Sequence, residues 1–333
     1  MLAVSESQSL ALCANGTDAI QLALRAYGLG SGDKVLIPDM TFWATFEAVV
    51  NVAATPIPID VNWNTLHLCA KEVEKAIDKF SPQALILVHL YGWASPDTEE
   101  IRTLCRERNI HLIEDSAQAF GTRFNDKSLI GEAPCATTSF YPAKVLGASG
   151  DAGAVFAKDA KITELIGKLA NHGRMDHYEH GWVGWNSRIG VYESIFLEES
   201  LKHIKQRLES RRKNIEHYTR ELKGLPLEVL RASNSSGKKV LENGYLSVCR
   251  VDEALRPKFI EFLKEKKIGF GTVYPGAMSR QRGAQDYMKE SMTDGTADRI
   301  SKTIINLPCF TYMTTGELDY VVENVRNFFK KNV

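Results

Sequence analysis

Lys144 lies two residues past Pro142, after the short run Thr137-Thr138-Ser139-Phe140-Tyr141, at the mouth of a loop that holds Gly147, Gly150 and Gly153. β-Branched and aromatic residues in such a run predict a strand, and Pro142, with no N–H to donate, ends its ladder. Small residues around the lysine let a second backbone or a flat ligand come close. Desolvation in such a place lowers an amine's pKa toward its nucleophilic form, the form that condenses with an aldehyde. A solvated lysine after a strand is the competing reading of this stretch taken alone.

Further groups sit where aldehyde chemistry would need them. The apolar run 110–113 predicts a buried strand that ends in Glu114-Asp115-Ser116-Ala117-Gln118. Open α/β sheets place ligand groups at the carboxyl ends of central strands. A carboxylate there, Asp115, can keep a pyridine nitrogen protonated. Asn15-Gly16-Thr17-Asp18 supplies a turn glycine, then Thr17 or Asp18 as the N-cap of a helix. The free N–H groups and dipole of a helix start make an anion site. Phe42, placed with Trp43 in the first turn of a helix over 41–54, can cover one face of a flat ring. An amine, a carboxylate and a phosphate cradle are together what pyridoxal 5′-phosphate requires. Each alone also has an ordinary explanation: a solvated strand-end carboxylate, a capped helix, a core aromatic. The glycines of 28–33 follow a helix instead of a strand, so they read as a C-cap and turn and not as a dinucleotide fingerprint.

The elements that must carry these residues alternate. Strands are predicted over 10–14, 34–38, 55–61, 84–90, 110–113 and 154–157, with helices from 19, over 70–80, over 98–108 and over 159–170. This alternation predicts a mostly parallel, doubly wound α/β sheet. Pro56 and Pro58 break the 55–61 strand, and Pro58 argues for an edge or irregular position. Residues 171–188 are irregular, and loops of that length tend to be functional. His172, His177 and His180 fit no zinc spacing, so no metal is expected. A single long helix over 191–222 is expected to link two domains, with the Arg211-Arg212-Lys213 run on a solvated face. Strands near 227–231, 245–251 and 268–274, with helices over 256–266 and 316–330, predict a smaller α+β domain. The domain boundaries are therefore 1–190, 191–222 and 223–333.

Composition narrows the partners. Lys plus Arg and Asp plus Glu number 41 each, so no net field favours nucleic acid or an anionic membrane. Six scattered cysteines without a Cys-x-x-Cys pair argue for reduced thiols and a cytoplasmic protein. No apolar run reaches membrane-spanning length.

In order along the chain, these motifs resemble those of the DegT/DnrJ/EryC1/StrS sugar aminotransferases, within the fold-type I pyridoxal enzymes. The resemblance is carried by Asn15-Gly16-Thr17-Asp18-Ala19, Pro38-Asp39-Met40-Thr41-Phe42, Pro58-Ile59-Asp60-Val61 and Val88-His89-Leu90-Tyr91-Gly92. It continues in Ile113 through Ala119, Ser139 through Lys144, Asn171-His172-Gly173 and Gly184-Trp185-Asn186-Ser187-Arg188. It implies that Lys144 binds the cofactor aldehyde and then moves the proton between substrate carbon and cofactor. By the same resemblance Asp115 pairs with the ring nitrogen, Phe42 stacks on the ring and Gln118 lies on its hydroxyl side. Thr17 and Asp18 give backbone N–H groups to the phosphate, and Ser139 its hydroxyl. Asn186 reaches the phosphate of a neighbouring subunit, which makes a homodimer part of the site, and Tyr274 stands where such enzymes place sugar contacts.

The implied reaction moves an amino group from an amino acid, glutamate by resemblance, to a nucleotide-linked keto-deoxysugar for amino-sugar or surface-polysaccharide synthesis. Two alternatives are a sugar dehydratase on the same fold and a cofactor-binding regulatory or scaffolding protein. Dehydratase relatives carry histidine where Lys144 stands. The sequence departs from the pattern at Ile189-Gly190-Val191, where an acidic residue is common, and at Val273-Tyr274-Pro275, where histidine often precedes the tyrosine. It also reaches its Asn-Gly-Thr motif early, so the expectation is either a truncated N-terminus or a lost segment at the substrate entrance.

Overall fold

A computed structural model describes residues 1–232 and 239–332. The first 157 residues supply nine strands: β1 (Ser9–Cys13), β2 (Lys34–Pro38), β3 (Thr55–Ile59), β4 (Ala84–Val88), β5 (His111–Asp115), β6 (Arg123–Phe124), β7 (Lys127–Ser128), β8 (Cys135–Ser139) and β9 (Gly153–Ala157). Seven of them form one sheet in the order β1-β9-β8-β5-β4-β2-β3. All neighbouring pairs from β3 to β8 are parallel; β9 runs antiparallel to both β8 and β1. This is the mostly parallel, helix-covered sheet that the alternation predicts. β3 takes the sheet edge, where its two prolines cost no ladder bonds on the open side.

The sheet is buried on both faces, which is why β4 reads Ala-Leu-Ile-Leu-Val without a polar break. Side chains alternate between two cores: on β9, Val155 joins the larger core, while Ala154 and Phe156 join the one that packs against Leu197, Ile204 and Leu208. The carboxyl ends of β2, β4, β5 and β8 lie along one rim, and that rim carries the site.

Beyond residue 190 the structure departs from the sequence reading in several places. The long helix is two: Val191–Lys202 and Ile204–Glu221, broken at His203, which caps one and begins the other. Arg211 is not on a solvated face. It is 8% exposed, and its guanidinium donates to the carbonyls of Tyr245 (3.2 Å) and Cys309 (2.9 Å), buried acceptors that a helix-face view of the sequence does not show.

The C-terminal sheet contains β10 (Leu227–Val229), β12 (Ser247–Val251) and β13 (Ile304–Leu307), all antiparallel, and β11 (Val240–Leu241) instead joins the β6–β7 hairpin. Residues 268–274 are not a strand. Their one ladder bridge to β13 is Gly271–Asn306, with the Val273 N–H also donating to Asn306 Oδ1 at 3.2 Å, because Gly269, Gly271 and Pro275 favour turns over a ladder. The third strand is Ile304–Leu307, which follows too short a helix to stand out by period.

The C-terminal chain also returns to the large sheet. Asp39, just past β2, accepts the Ser279 N–H (2.7 Å) and hydroxyl (2.9 Å), and Asp60, just past β3, accepts the N–H groups of Thr296 (2.9 Å) and Ala297 (2.8 Å). Burial pushes Asp39 up to about 6, against the bonds from Ser279 that favour its charge. These contacts hold the segment that carries Tyr274 over the rim.

Candidate active site

Helix Gly16–Ala26 begins at the rim with Asn15 as its N-cap, not Thr17 or Asp18; the Asn15 side chain accepts the Asp18 N–H at 2.8 Å. A cap at Asn15 places the helix start two or three residues earlier than expected and leaves the N–H groups of Gly16 and Thr17 at its open end. Gly16 is required there by space: a Cβ would stand 2.7 Å from Ser139 Cβ, at the end of β8. A helix N-terminus pressed against a serine hydroxyl is an anion cradle.

The Asp18 carboxylate faces away from that cradle. It accepts the Ser187 hydroxyl at 2.6 Å, and Ser187 Oγ in turn accepts the Ala14 N–H at 3.2 Å. Asn186, beside it, is exposed, pairs by a bridge with Asn171 and does not line the cavity of its own chain.

A cavity of about 470 Å³ opens above the cradle, within the range of small-molecule sites. Thr17, Phe42, Asp115, Gln118, Ser139 and Lys144 all line it, as does Tyr274. Asp115, the last residue of β5, is 6% exposed; its carboxylate accepts the Ala117 N–H at 3.0 Å and, at 3.5 Å, the Thr45 hydroxyl. Burial raises its pKa, with the Ala117 bond and the Lys144 charge pulling the other way. The same burial lowers the Lys144 pKa, opposed by Asp115. A half-buried amine and a buried carboxylate thus share one cavity, each pushed toward its neutral form.

Phe42 precedes its helix. Trp43–Asn51 is the helical segment and Phe42 is its extended N-cap, which leaves the ring 58% exposed at the cavity and 6.0 Å from the ring of Tyr274. Gln118 is held on both sides: its Oε1 accepts the Tyr91 N–H (2.6 Å) and its Nε2 donates to the Tyr274 hydroxyl (2.8 Å). These residues fit pyridoxal 5′-phosphate: an amine, a buried carboxylate with acceptor capacity to spare, a glycine-dependent anion cradle and an open aromatic face.

Sequence reasoning missed Thr45, Asp151, Ser187 and Tyr245. Asp151 and Tyr245 line the cavity, and Tyr245 lies under Lys144. Thr45 has a sequence signal, since it falls one helical turn after Thr41, with which it shares a 2.7 Å hydrogen bond. Tyr245 has none, and Ser187, though it stands in the Gly184–Arg188 motif, carries no sign there of its bond to Asp18, because the partners come from distant parts of the chain.

Outside the cavity, the arm 171–188 and the following helix expose large apolar side chains. Tyr178 is 87%, Val183 82% and Tyr192 82% exposed, with Val191, Ile195 and Phe196 beside them in sequence. No helix among the described residues is long and apolar enough to cross a membrane.

Comparison with known proteins follows the same outline. The model of the DegT/DnrJ/EryC1/StrS aminotransferase family matches residues 4–326. A pleiotropic regulatory protein of Geobacillus stearothermophilus is 31% identical over 96% of this chain and 84% of its own. The UDP-2-acetamido-2-deoxy-3-oxo-D-glucuronate aminotransferase of Pseudomonas aeruginosa is 30% identical over 95% of this chain and 85% of its own. Among solved structures, S. venezuelae DesV in complex with a ketimine intermediate superposes with a TM-score of 0.92 at 29% identity, covering 99% of this chain and 87% of that one.

Proposed function

The chain belongs to the DegT/DnrJ/EryC1/StrS aminotransferase family, and from that premise we propose that it is a pyridoxal 5′-phosphate-dependent nucleotide-sugar aminotransferase. It takes an amino group from an amino acid, glutamate being the first donor to test, and delivers it to a nucleotide-linked keto-deoxysugar. The observation that carries this reading is the convergence of Lys144 and Asp115 in one cavity at the carboxyl rim of the sheet. Relatives named for UDP- and dTDP-sugar transamination support the substrate class.

Bound pyridoxal 5′-phosphate supplies an electron sink that makes the C–H bond beside the transferred nitrogen acidic. The protein's share is position and protonation. Burial pushes Lys144 toward its neutral form, so Nζ would be the group that holds the cofactor's aldehyde and that carries the proton at the substrate carbon. Asp115 would pair with the ring nitrogen and keep a proton on it. The Gly16 and Thr17 N–H groups and the Ser139 hydroxyl receive the phosphate, and Asp18 shapes that cradle through Ser187. Phe42 covers one ring face, Gln118 lies toward the ring hydroxyl, and Tyr274 stands at the sugar side.

Asn186 points out of its own site, and the exposed apolar arm and helix around it suit a second copy of the chain. The proposed enzyme is therefore a cytoplasmic homodimer in which each Asn186 completes the partner's phosphate site. The intact Lys144–Asp115 pair supports turnover over a purely regulatory role and over dehydration.

The test treats the two halves separately. Protein loaded with pyridoxal 5′-phosphate is mixed with glutamate and its absorbance followed; nucleotide keto-sugars are then screened with mass detection of the aminated product. A shift with glutamate but no aminated product from any nucleotide sugar would remove the sugar-transfer reading.

A further inference from the structure

Tyr245 plays no part in the reading above, yet Lys144 Nζ lies 5.1 Å from the centroid of its ring. An ammonium at that distance over an aromatic face is attracted by the ring quadrupole. The ring is delivered by a corner fixed from two sides. Asn243, fully buried, donates to the carbonyls of Gln118 (2.7 Å) and Phe120 (3.1 Å), and its Oδ1 accepts the Tyr245 N–H (2.9 Å).

Arg211 holds the other side through the Tyr245 carbonyl. Gly244 between them has φ +75°, and a Cβ there would stand 2.7 Å from Arg211 Cβ, so only glycine fits. Gly92 closes the packing: a Cβ on it would overlap Asn243 Oδ1. This corner therefore ties the platform under Lys144 to the same 118–120 segment that follows Asp115.

We propose that Tyr245 is a positioning residue for Lys144, its ring face serving as the seat that holds the ε-amine in the cavity it shares with Asp115. The proposal rests on the reading of Lys144 as the reactive amine. β5 and the 243–245 corner, which Asn243 ties together, then bracket one flexible side chain. Attraction to the ring favours the ammonium form and opposes the effect of burial. Asp115 from β5, Asp151 from the loop before β9, Tyr141 from the lysine's own loop and Tyr274 from the C-terminal chain also line the cavity. All four are left unchanged among Tyr245 variants.

The test measures Lys144 in cofactor-free, full-length protein by competitive acetylation with acetic anhydride as a function of pH, reading the Lys144 peptide by mass spectrometry. Tyr245→Leu removes the ring face, and the Lys144 midpoint is expected to fall by about one pH unit, a tenfold change in proton affinity. Tyr245→Phe keeps the face and is expected to stay within about 0.3 unit of wild type, and Tyr245→Trp is expected to rise. A Leu variant with the wild-type midpoint overturns the proposal, as does a Phe variant that falls as far as Leu. Where the Leu variant does not fold, the Trp–Phe comparison decides, and equal midpoints overturn it. Uptake of pyridoxal 5′-phosphate is scored separately by absorbance. A ring-dependent midpoint in a protein that takes up no pyridoxal 5′-phosphate keeps this proposal and removes the cofactor reading.

Discussion

Ser187 Oγ donates to Asp18 Oδ2 at 2.6 Å, joining positions 169 residues apart in sequence. The bond ties the arm that presents Asn186 outward to the helix start that forms the anion cradle. Ser187 is fully buried and also serves the Ala14 N–H, so two elements depend on one hydroxyl. Ser187→Ala leaves a carboxylate and an N–H without their partner. The expected cost is about 1–3 kcal/mol of unfolding free energy in urea titration, together with weaker retention of pyridoxal 5′-phosphate on dialysis.

Lys144→Ala removes the proposed nucleophile and proton carrier but no core contact. The variant is expected to fold with a wild-type thermal midpoint, to show no absorbance of lysine-bound cofactor, and to lose amino transfer by at least about 10²–10⁴-fold, the span of general acid–base catalysis. Wild-type rates in this variant would assign the chemistry to another residue.

Asp115 offers a trade between stability and binding. Its pKa is raised in the folded, cofactor-free protein, first by burial. A carboxyl with a raised folded pKa contributes fully below its unfolded pKa and loses that contribution as pH rises through the folded one. Asp115→Asn cannot ionise. Relative to wild type the cofactor-free variant is therefore expected to gain stability from about pH 4 upward and to level off above the folded pKa of Asp115. Its affinity for pyridoxal 5′-phosphate should fall at the same time. Denaturant titrations at several pH values, with and without cofactor, read both effects.

Beneath the site, Glu114 is wholly buried. It accepts Arg102 Nε (2.7 Å) and Nη2 (2.8 Å) and bonds His89 Nε2 (2.8 Å). Burial alone would raise its pKa, but the Arg102 charge and the bonds from His89 and Arg102 outweigh burial and bring it to about 2. A lowered folded pKa gives stability that is present above the unfolded value near 4.5 and lost as pH falls toward 2. Arg102→Met strands the buried carboxylate and is expected to cost about 3–5 kcal/mol. Acid unfolding, followed by circular dichroism, should then begin at a higher pH than in wild type. An unmoved acid transition would show that Arg102 does not hold this charge.

Much of the large sheet was legible because its signals are local. Lys34–Pro38 and Ala70–Phe80 stand where the sequence places them, since apolar period and breakers act within a few residues. The β5 end with Asp115 and the loop with Lys144 were legible for a related reason: parallel strands of one sheet end on one rim, so polar residues at those ends must meet. The family motifs then supplied an order for them.

Other features needed the folded molecule. The N-cap is Asn15, whose side chain takes the Asp18 N–H, and what the sequence does not show is the approach of Ser139 from another strand that requires glycine at position 16. Residues 268–274 left the sheet in favour of Ile304–Leu307 because pairing partners, not local propensity, decide a short strand. Arg211 reads as one cation in a basic run, yet it is buried because carbonyls from two distant loops need its donors. The sequence by itself determined the chemistry of the residues on the rim and the sheet that gathers them. Only the tertiary structure decided what stands against them, Tyr245 under Lys144 and Ser187 on Asp18, because contacts across that much chain leave no periodic trace in the residues between.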